Sequence, residues 1–363
     1  MLNVGTCSMK RPFVAFHFGL VQDVAVLRPL ALLARFHATT DVHLLVSHKF
    51  AEKDDEGRWL AEIDRLGAEL GVTPFVYQSV MDCLKVLGSG SGMLIAGSES
   101  DARAHQDAHE LFKAVPGRIR TVTLQHGFEC VGFLHNARHD ATAGRAVRFA
   151  ADIAVAWFDR QRMNAVAAGE RSKIYVAGPQ TMIDPPRRTE GRTTELPGLI
   201  CENLHSVRFK DGEARQDFLS AFSGFAGRAE MVGQSIALRA HPAGRFTQRK
   251  GIHVPPNVTF SEAPLYDTNL REFAYAISAP STILFDFALA GVPVATWIDP
   301  QGAIDASNFA GFAQVASVDD WWRFNFAARW DPATFIEKQD TFIAGLGIPA
   351  DVRARYEQLL ALN

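Results

Sequence analysis

The stretch from Phe273 to Trp297, FAYAISAPSTILFDFALAGVPVATW, constrains the fold more than any other part of the chain. Ala276 to Ala279 is a short apolar run that Pro280 ends, and Ser281 with Thr282 stands where a helix takes its N-cap. The apolar helix that follows, to about Ala290, is stopped by Gly291 and then Pro293, and Val292 to Trp297 reads as the next buried strand. Strand, tight turn, helix and strand in so short a span call for a parallel βαβ arrangement. The turn also has a chemical use, because the first N–H groups of a helix lack partners and favour an anion. Ser281 and Thr282 could hold a phosphate, and Asp286, one helical turn on, could take a ribose hydroxyl pair. The same residues also suit an ordinary capped core helix.

The rest of the chain repeats this scheme. Phe13 to Phe18 is a buried strand, and Val24, Leu27, Leu30, Ala31 and Ala34 then recur at helical spacing to Phe36. Val42 to Ser47, Thr73 to Tyr77, Met93 to Ala96, Ile119 to Leu124, Ile153 to Trp157 and Lys173 to Ala177 read as further strands. Helices are expected over Arg58 to Leu70, from Asp101 through Lys113, and over Arg160 to Ala168. Ile183 to Gly198 holds Pro185, Pro186 and Pro197 and almost no apolar residue, which marks a linker. Beyond it, Leu199 to Glu202, Ser235 to Arg239 and Val258 to Phe260 are strands, Ala214 to Phe225 is a helix, and Asp267 or Thr268 can cap a helix through Phe273. Helical segments near Ala333 to Ile343 and Ala350 to Leu362 close the chain. Alternation of this kind predicts an α/β fold of doubly wound parallel sheets, with ligands at the carboxyl ends of the strands.

At 363 residues the chain is long for one core, so two domains are expected. A formal net charge of -3 argues against a protein that holds nucleic acid electrostatically. The four cysteines, Cys7, Cys83, Cys130 and Cys201, form no C-x-x-C pair, which fits a reduced, cytoplasmic setting. Lys10 and Arg11 precede an apolar run, but His17 interrupts it and no small-residue cleavage site follows. No apolar run reaches the roughly 20 residues that span a bilayer, so membrane contact is expected to be at most peripheral.

Three short signals sit at predicted strand ends: Gln125-His126-Gly127, His241-Pro242 and Ser281-Thr282. Gly127 lets backbone or ligand approach the strand tip, and His126 beside it can hydrogen-bond a donor, an acceptor or a phosphate. Pro242 suits the first turn of a helix, which would place His241 at a helix N-terminus, able to bind or protonate a departing phosphate. Either histidine can also be a satisfied structural residue.

The order of TVTLQHGFE, IYVAGPQ, a proline-rich linker, IALRAHP and ISAPSTILFDFALAGVPV resembles the GT-B glycosyltransferases of bacterial surface-polysaccharide synthesis. These include the capsule β-Kdo transferases, the CDP-glycerol glycerophosphotransferases and the bacterial sialyltransferases. The resemblance implies two Rossmann-like domains facing one another across a cleft: residues 1–182 on the acceptor side, a linker at 183–198, a nucleotide-sugar domain at 199–345, and a C-terminal helix within 346–363 returning to the first domain. It implies that His241, Pro242, Ser281 and Thr282 hold the donor phosphate, with Asp286 on the ribose and Pro264 and Arg239 completing the nucleotide site. Gln125, His126 and Gly127 would lie across the cleft. The serine pair of the sialyltransferases is Ser281-Thr282 here, and no acidic D/E-D-G motif supplies the base. The base therefore stays open among Asp23, Glu99, Asp101 and Glu129, of which Glu129 and Glu99 lie closest to the strand tips.

No D-x-D motif is present, and donor charge would be met by helix N-termini, hydroxyls, His241 and Arg239 or Arg245, so no metal cofactor is required. His105 and His109, spaced i, i+4, and the group His126, His135 and His139 leave a bound cation open. The expected activity is transfer of a CMP-activated sugar, Kdo or a related nonulosonate, to a surface-glycan or glycolipid acceptor. Its rivals are CDP-glycerol-type glycerophosphate transfer, UDP-sugar 2-epimerisation on the same fold, and a non-catalytic carbohydrate-binding role.

Overall fold

The computed structural model describes residues 12–36, 40–54, 56–185, 194–204, 209, 212–241 and 244–362. The first half carries β1 (Phe13–Phe18), α1 (Val21–Arg35), β2 (Asp41–Ser47), α2 (His48–Lys53), α3 (Arg58–Leu70), β3 (Phe75–Tyr77), α4 (Val80–Leu87), β4 (Gly92–Ala96), α5 (Gln106–Ala114), β5 (Ile119–Leu124), α6 (Ala137–Ala143), β6 (Ile153–Ala156) and β7 (Ile174–Val176). Its strands form one parallel sheet in the order β3-β2-β1-β4-β5-β6-β7. The second half carries β8 (Gly198–Glu202), α7 (Glu213–Met231), β9 (Ile236–Ala240), α8 (Phe246–Arg249), β10 (Val258–Phe260), β11 (Ala276–Ser278), α9 (Ile283–Leu289), β12 (Val294–Trp297), β13 (Ala313–Val315), α10 (Val318–Trp330), α11 (Pro332–Ala344) and α12 (Val352–Leu360). The order β10-β9-β8-β11-β12-β13 repeats that of the first six strands of the first sheet, β3 to β6, without a counterpart of β7, and is again all parallel. Each sheet therefore has a switch point, between β1 and β4 and between β8 and β11, where crossovers leave in opposite directions and open a crevice.

Local chemistry explains most boundaries. The N–H groups of Gly291 and Val292 return to Ala288 and Phe287 at the end of α9, and Gly291 sits at φ 71°. That is the left-handed stop a glycine permits. The last helix, α12, leaves the second domain and packs into the core of the first, where Tyr356 and Leu359 are fully buried and Tyr356 Oη donates to Gly178 O at 2.9 Å.

Several expected helices take other forms. Residues 160–168 form no α-helix but a 3-10 turn at Arg160–Arg162 and the start of another at Ala168–Lys173, because Met163 and Ala165 are buried at extended rather than helical spacing and Val166 bridges Val147. Residues 267–273 form no α-helix but two 3-10 turns, Leu265–Asp267 and Leu270–Glu272, and the first is drawn toward the other domain. The helix expected at Pro242 begins only at Phe246, and Pro242 itself lies outside the described residues. The aromatic stretch at Trp321 belongs to α10, capped by Ser317 and Asp320 in a reciprocal box. Part of the proline-rich linker, 186–193, also lies outside the described residues.

The two halves meet in one aromatic cluster. Phe128 packs on Phe285 with ring centroids 4.0 Å apart and on Phe309 at 5.3 Å, while Phe312 packs on Phe285 and on Phe342, each at 5.1 Å. Phe128 follows the Gln125-His126-Gly127 turn and Phe285 follows Ser281-Thr282, so the core joins the two turns that the sequence singled out.

Candidate active site

A cleft of about 1210 Å³ lies between the domains and takes residues from the carboxyl edges of both sheets. Its second-domain wall includes Cys201 and Glu202 at the end of β8, Arg239 and His241 at the end of β9, and Ser278, Ser281, Thr282 and Asp286 from β11 and α9. These residues surround the β8/β11 switch point. Pro264 lines the same wall.

Arg239 is buried, and its Nη1 donates to Ser261 Oγ at 3.3 Å. Desolvation draws its pKa down, opposed by nearby Cys201 and Asp286. Asp286 is half-buried in the cleft wall, and burial pushes its carboxyl up to about 7, against a hydrogen bond from Thr181 of the first domain and the charge of Arg239. A buried cation and an acid poised near neutrality thus share one wall. Cleft residue His241 accepts at its carbonyl from the Gly244 and Arg245 N–H groups, at 2.9 and 3.1 Å.

The structure changes which helix starts can receive an anion. The Phe246 and Thr247 N–H groups, which open α8, donate to the two carboxylate oxygens of Glu202 at 2.7 and 2.8 Å, so a protein carboxylate already occupies that position. Thr282 at the start of α9 makes no cap hydrogen bond with its side chain. Its hydroxyl accepts instead from Phe128 N at 3.0 Å, across the domain boundary. Gly127 fits the same contact, since a Cβ there would stand 2.8 Å from Thr282 Oγ1. The turn glycine admits the opposite domain rather than a ligand. Ser281 remains as a cleft hydroxyl.

Of the first-domain candidates, Glu129, His126 and Gly127 line the cleft, whereas Gln125, Glu99, Asp23 and Asp101 do not. Gln125 is fully buried beneath its turn, donating to Gly127 O and Phe128 O at 2.9 and 3.0 Å and accepting from Trp157 N at 2.9 Å. Glu99 is a structural carboxylate, accepting from Ala150 N, Ala151 N and His109 Nδ1 at 2.9, 3.1 and 2.6 Å. Asp23 is buried in the first turn of α1, where Oδ2 accepts from Gly19 N and Leu20 N at 2.8 and 2.7 Å. Burial raises its carboxyl to about 7. Asp101 accepts from Arg148 N at 3.1 Å and shapes its loop.

That leaves Glu129 as the one acid of the four at the cleft. Its Oε2 accepts from Asn136 Nδ2 at 2.9 Å and its Oε1 from Asn308 Nδ2 at 2.8 Å, one asparagine from each domain. Two neutral amide donors thus hold the carboxylate. Asn136 caps α6 by accepting from Arg138 N and His139 N, a role its position before a helical run could have disclosed. Asn308 carries no such signal, because only the tertiary fold brings it to Glu129.

His126 bonds Ser98 Oγ through Nδ1 at 2.7 Å and lies 5.8 Å, ring to ring, from His105. Burial, then the neighbouring His105 and His139, lowers its pKa to about 3, so the ring is neutral near pH 7. Among the described residues, no group of three or more His, Cys, Asp or Glu side chains is placed to hold a metal ion.

No family model and no curated protein matches this chain. Solved structures do, over nearly its whole length. A putative UDP-N-acetylglucosamine 2-epimerase from Listeria monocytogenes superposes with a TM-score of 0.57 at 16% identity, covering 97% of this chain and 95% of that one. The Neisseria meningitidis UDP-GlcNAc 2-epimerase bound to UDP-GlcNAc gives 0.57 at 11%, covering 96% and 98%. CalG4, the calicheamicin glycosyltransferase, gives 0.53 at 11%, covering 97% and 99%. At such identities the likeness concerns the fold, and with the two repeated sheet orders and the cleft between them it establishes a GT-B architecture of two Rossmann-like α/β domains.

Proposed function

We propose that the protein is a metal-independent glycosyltransferase that uses a nucleotide-activated sugar. The observation that carries this reading is the cleft itself: Arg239, His241, Ser281 and Asp286 stand on one domain and Glu129 on the other. Arg239, His241 and Ser281 bind the donor phosphate, and Asp286 takes the ribose hydroxyls. Thr282 keeps the domains in register through Phe128. Glu129 accepts the proton of an acceptor hydroxyl as its oxygen attacks the anomeric carbon. The bond to the nucleotide breaks with its electron pair on the phosphate oxygen, whose charge Arg239 and His241 offset. The resemblance in motif order favours a CMP-activated Kdo or nonulosonate as the donor and a surface glycan or glycolipid as the acceptor.

UDP-sugar 2-epimerisation is the second reading, favoured by full-length overlap with enzymes of that activity. An epimerase needs no acceptor, whereas a cleft of about 1210 Å³ exceeds the roughly 300–1,000 Å³ usual for a single ligand.

Thermal shift against CMP, CDP, UDP and GDP ranks the donors, because a nucleotide at 100 times its Kd stabilises by about 2.7 kcal/mol. A shift largest with CMP is expected; a shift with UDP alone removes the CMP donor, and no shift with any of them removes the nucleotide site. Glu129→Gln is expected to keep the nucleotide shift and lower transfer by at least about a hundredfold. Undiminished transfer would exclude Glu129 as the base.

A further inference from the structure

Asn136 ties two parts of the first-domain wall together. Its Nδ2 donates to Glu129 Oε2 at 2.9 Å, and its Oδ1 accepts from Arg138 N and His139 N at 3.0 and 2.9 Å, so the proposed base and the first turn of α6 are fixed to one another. Arg138 and His139 line the cleft with Glu129. The guanidinium of Arg138 makes no hydrogen bond or ion pair among the described residues, and its Nε and the Nδ1 of His139 are both buried without a partner. Other arginines of the cleft are already paired. Arg28 makes a two-oxygen contact with Glu69 at 2.6 and 2.7 Å, and Arg245 bridges Glu56 and Glu262 at 2.5 and 3.3 Å. The acid nearest to Arg138 in sequence, Asp140, is held by His135 and Arg145 at 2.9 and 2.6 Å.

A half-buried cation without an ion-pair partner has given up part of its hydration and regained nothing from the protein, which favours an anion brought by a ligand. The guanidinium fork matches the two oxygens of a carboxylate. Burial, then the charge of His135, lowers the pKa of His139 to about 4, so near neutral pH its ring supplies a hydrogen bond and no charge. His126, on the same wall and bonded to Ser98 Oγ at 2.7 Å, is neutral as well. This part of the cleft therefore offers one full positive charge on the wall that carries the Glu129 carboxylate. A singly charged anion matches it, whereas a phosphate dianion would meet Glu129 with Arg138 alone to offset two charges. The donor phosphate belongs to the opposite wall, with Arg239, His241 and Ser281.

We propose that Arg138, with His139 beside it, binds the carboxylate of an acidic sugar on the first-domain side of the cleft and so selects the sugar presented to Glu129. The inference rests on the transferase reading, and the carboxylate belongs either to the sugar transferred or to the sugar that accepts it. Calorimetry with matched probes separates these sources. The donor pairs are CMP-N-acetylneuraminate against CMP and UDP-glucuronate against UDP-glucose; the acceptor pair is methyl β-glucuronide against methyl β-glucoside. In at least one pair the acidic member is expected to bind about 10–100-fold more tightly, as a hydrogen bond to a charged group allows. Arg138→Gln removes that preference, and Arg138→Lys, which keeps the charge and loses the fork, keeps only part of it. Arg353→Gln, at another arginine of the cleft, leaves the preference intact. An unchanged melting temperature without ligand reports that a variant is folded, and either Arg138 variant suffices for the test. No preference in any pair, or the same preference in the Arg138 variants as in the unsubstituted protein, overturns the proposal. The nucleotide thermal shift separates the two claims. Nucleotide binding without a carboxylate preference sinks the carboxylate site alone, whereas a glucuronide preference that Arg138→Gln abolishes, without any nucleotide shift, upholds the site and sinks the transferase reading.

Discussion

Asp23 and Asp286 are acids whose carboxyl groups burial pushes up to about 7. Between about pH 4 and pH 7 the folded chain keeps protons on them that the unfolded chain has released, so their contribution makes stability fall as pH rises through that window. Each group supplies a slope of up to about 1.4 kcal/mol per pH unit. Asp320, whose carboxyl is held well below the usual range by Ser317 N–H and hydroxyl and by Arg323, gives the opposite slope, confined to more acid pH. Denaturant titrations at pH 5 and pH 7 should therefore show a smaller loss of stability in Asp23→Asn than in the unsubstituted protein, by on the order of 1–3 kcal/mol. Equal losses would mean that Asp23 ionises as an exposed acid does. At Asp286 the same titration touches ligand binding, because an ionised carboxylate accepts both ribose hydroxyls and a protonated one does not. Nucleotide affinity is expected to rise up to about tenfold from pH 6 to pH 8 and to lose that rise in Asp286→Asn; a pH-independent Kd in the unsubstituted protein removes the ribose role. Asp286 was legible as an acid one turn into a helix behind a strand end. Asp23 and Glu99 were equally legible as loop acids, yet their partners are backbone N–H groups and, for Glu99, a distant histidine, which spacing does not disclose.

The elements that converge on the cleft are the ones whose sequence signals were sharpest, and their meeting is tighter than spacing alone implies. Gly127 ends one strand turn and Thr282 begins another, and their contact, with the Phe128 N–H on Thr282 Oγ1, is backbone against side chain across two domains. Gly127→Ala is expected to destabilise by about 1–3 kcal/mol, through the overlap and the loss of that buried hydrogen bond. In a Thr282→Ala background the cost of Gly127→Ala should shrink, and a double-mutant cycle reads the difference as coupling. Additive costs would place the strain elsewhere. Most of the alternation of strand and helix could be read from apolar runs, because parallel strands buried on both faces leave an unbroken signal. Residues 160–168 and 267–273 could not be read correctly. Their apolar residues face other elements rather than one helix face, so tertiary contacts override a helical spacing that local sequence suggests. Glu202 illustrates the same limit at a site: its carboxylate occupies the N-terminus of α8, and nothing in IALRAHP indicates that the anion there comes from a different strand.

Across the whole molecule the two domains are joined by chemically different edges. One is the aromatic cluster of Phe128, Phe285, Phe309, Phe312 and Phe342, continuous with the buried core. The other is polar: Arg65 pairs with Asp267 at 2.6 Å, Tyr266 bonds Glu62, and Arg245 bridges Glu56 and Glu262 at 2.5 and 3.3 Å. Side chains of the Arg65–Asp267 pair are 40% and 37% exposed, so water and salt screen it and its net worth is about 0–1 kcal/mol. Removing a buried phenyl ring costs about 3–5 kcal/mol. Stability and domain coupling therefore reside mainly in the aromatic edge, to which the exposed Arg65–Asp267 pair adds little. Calorimetric unfolding should distinguish the two. Phe285→Ala is expected to lower stability by about 3–5 kcal/mol and to broaden or split the transition as the domains lose their common core. Asp267→Asn should leave the transition single, with stability within about 1 kcal/mol of the unsubstituted protein, and raising salt should reproduce its effect. If Asp267→Asn splits the transition while Phe285→Ala leaves it single, the polar edge holds the domains together and the aromatic cluster belongs to one of them alone.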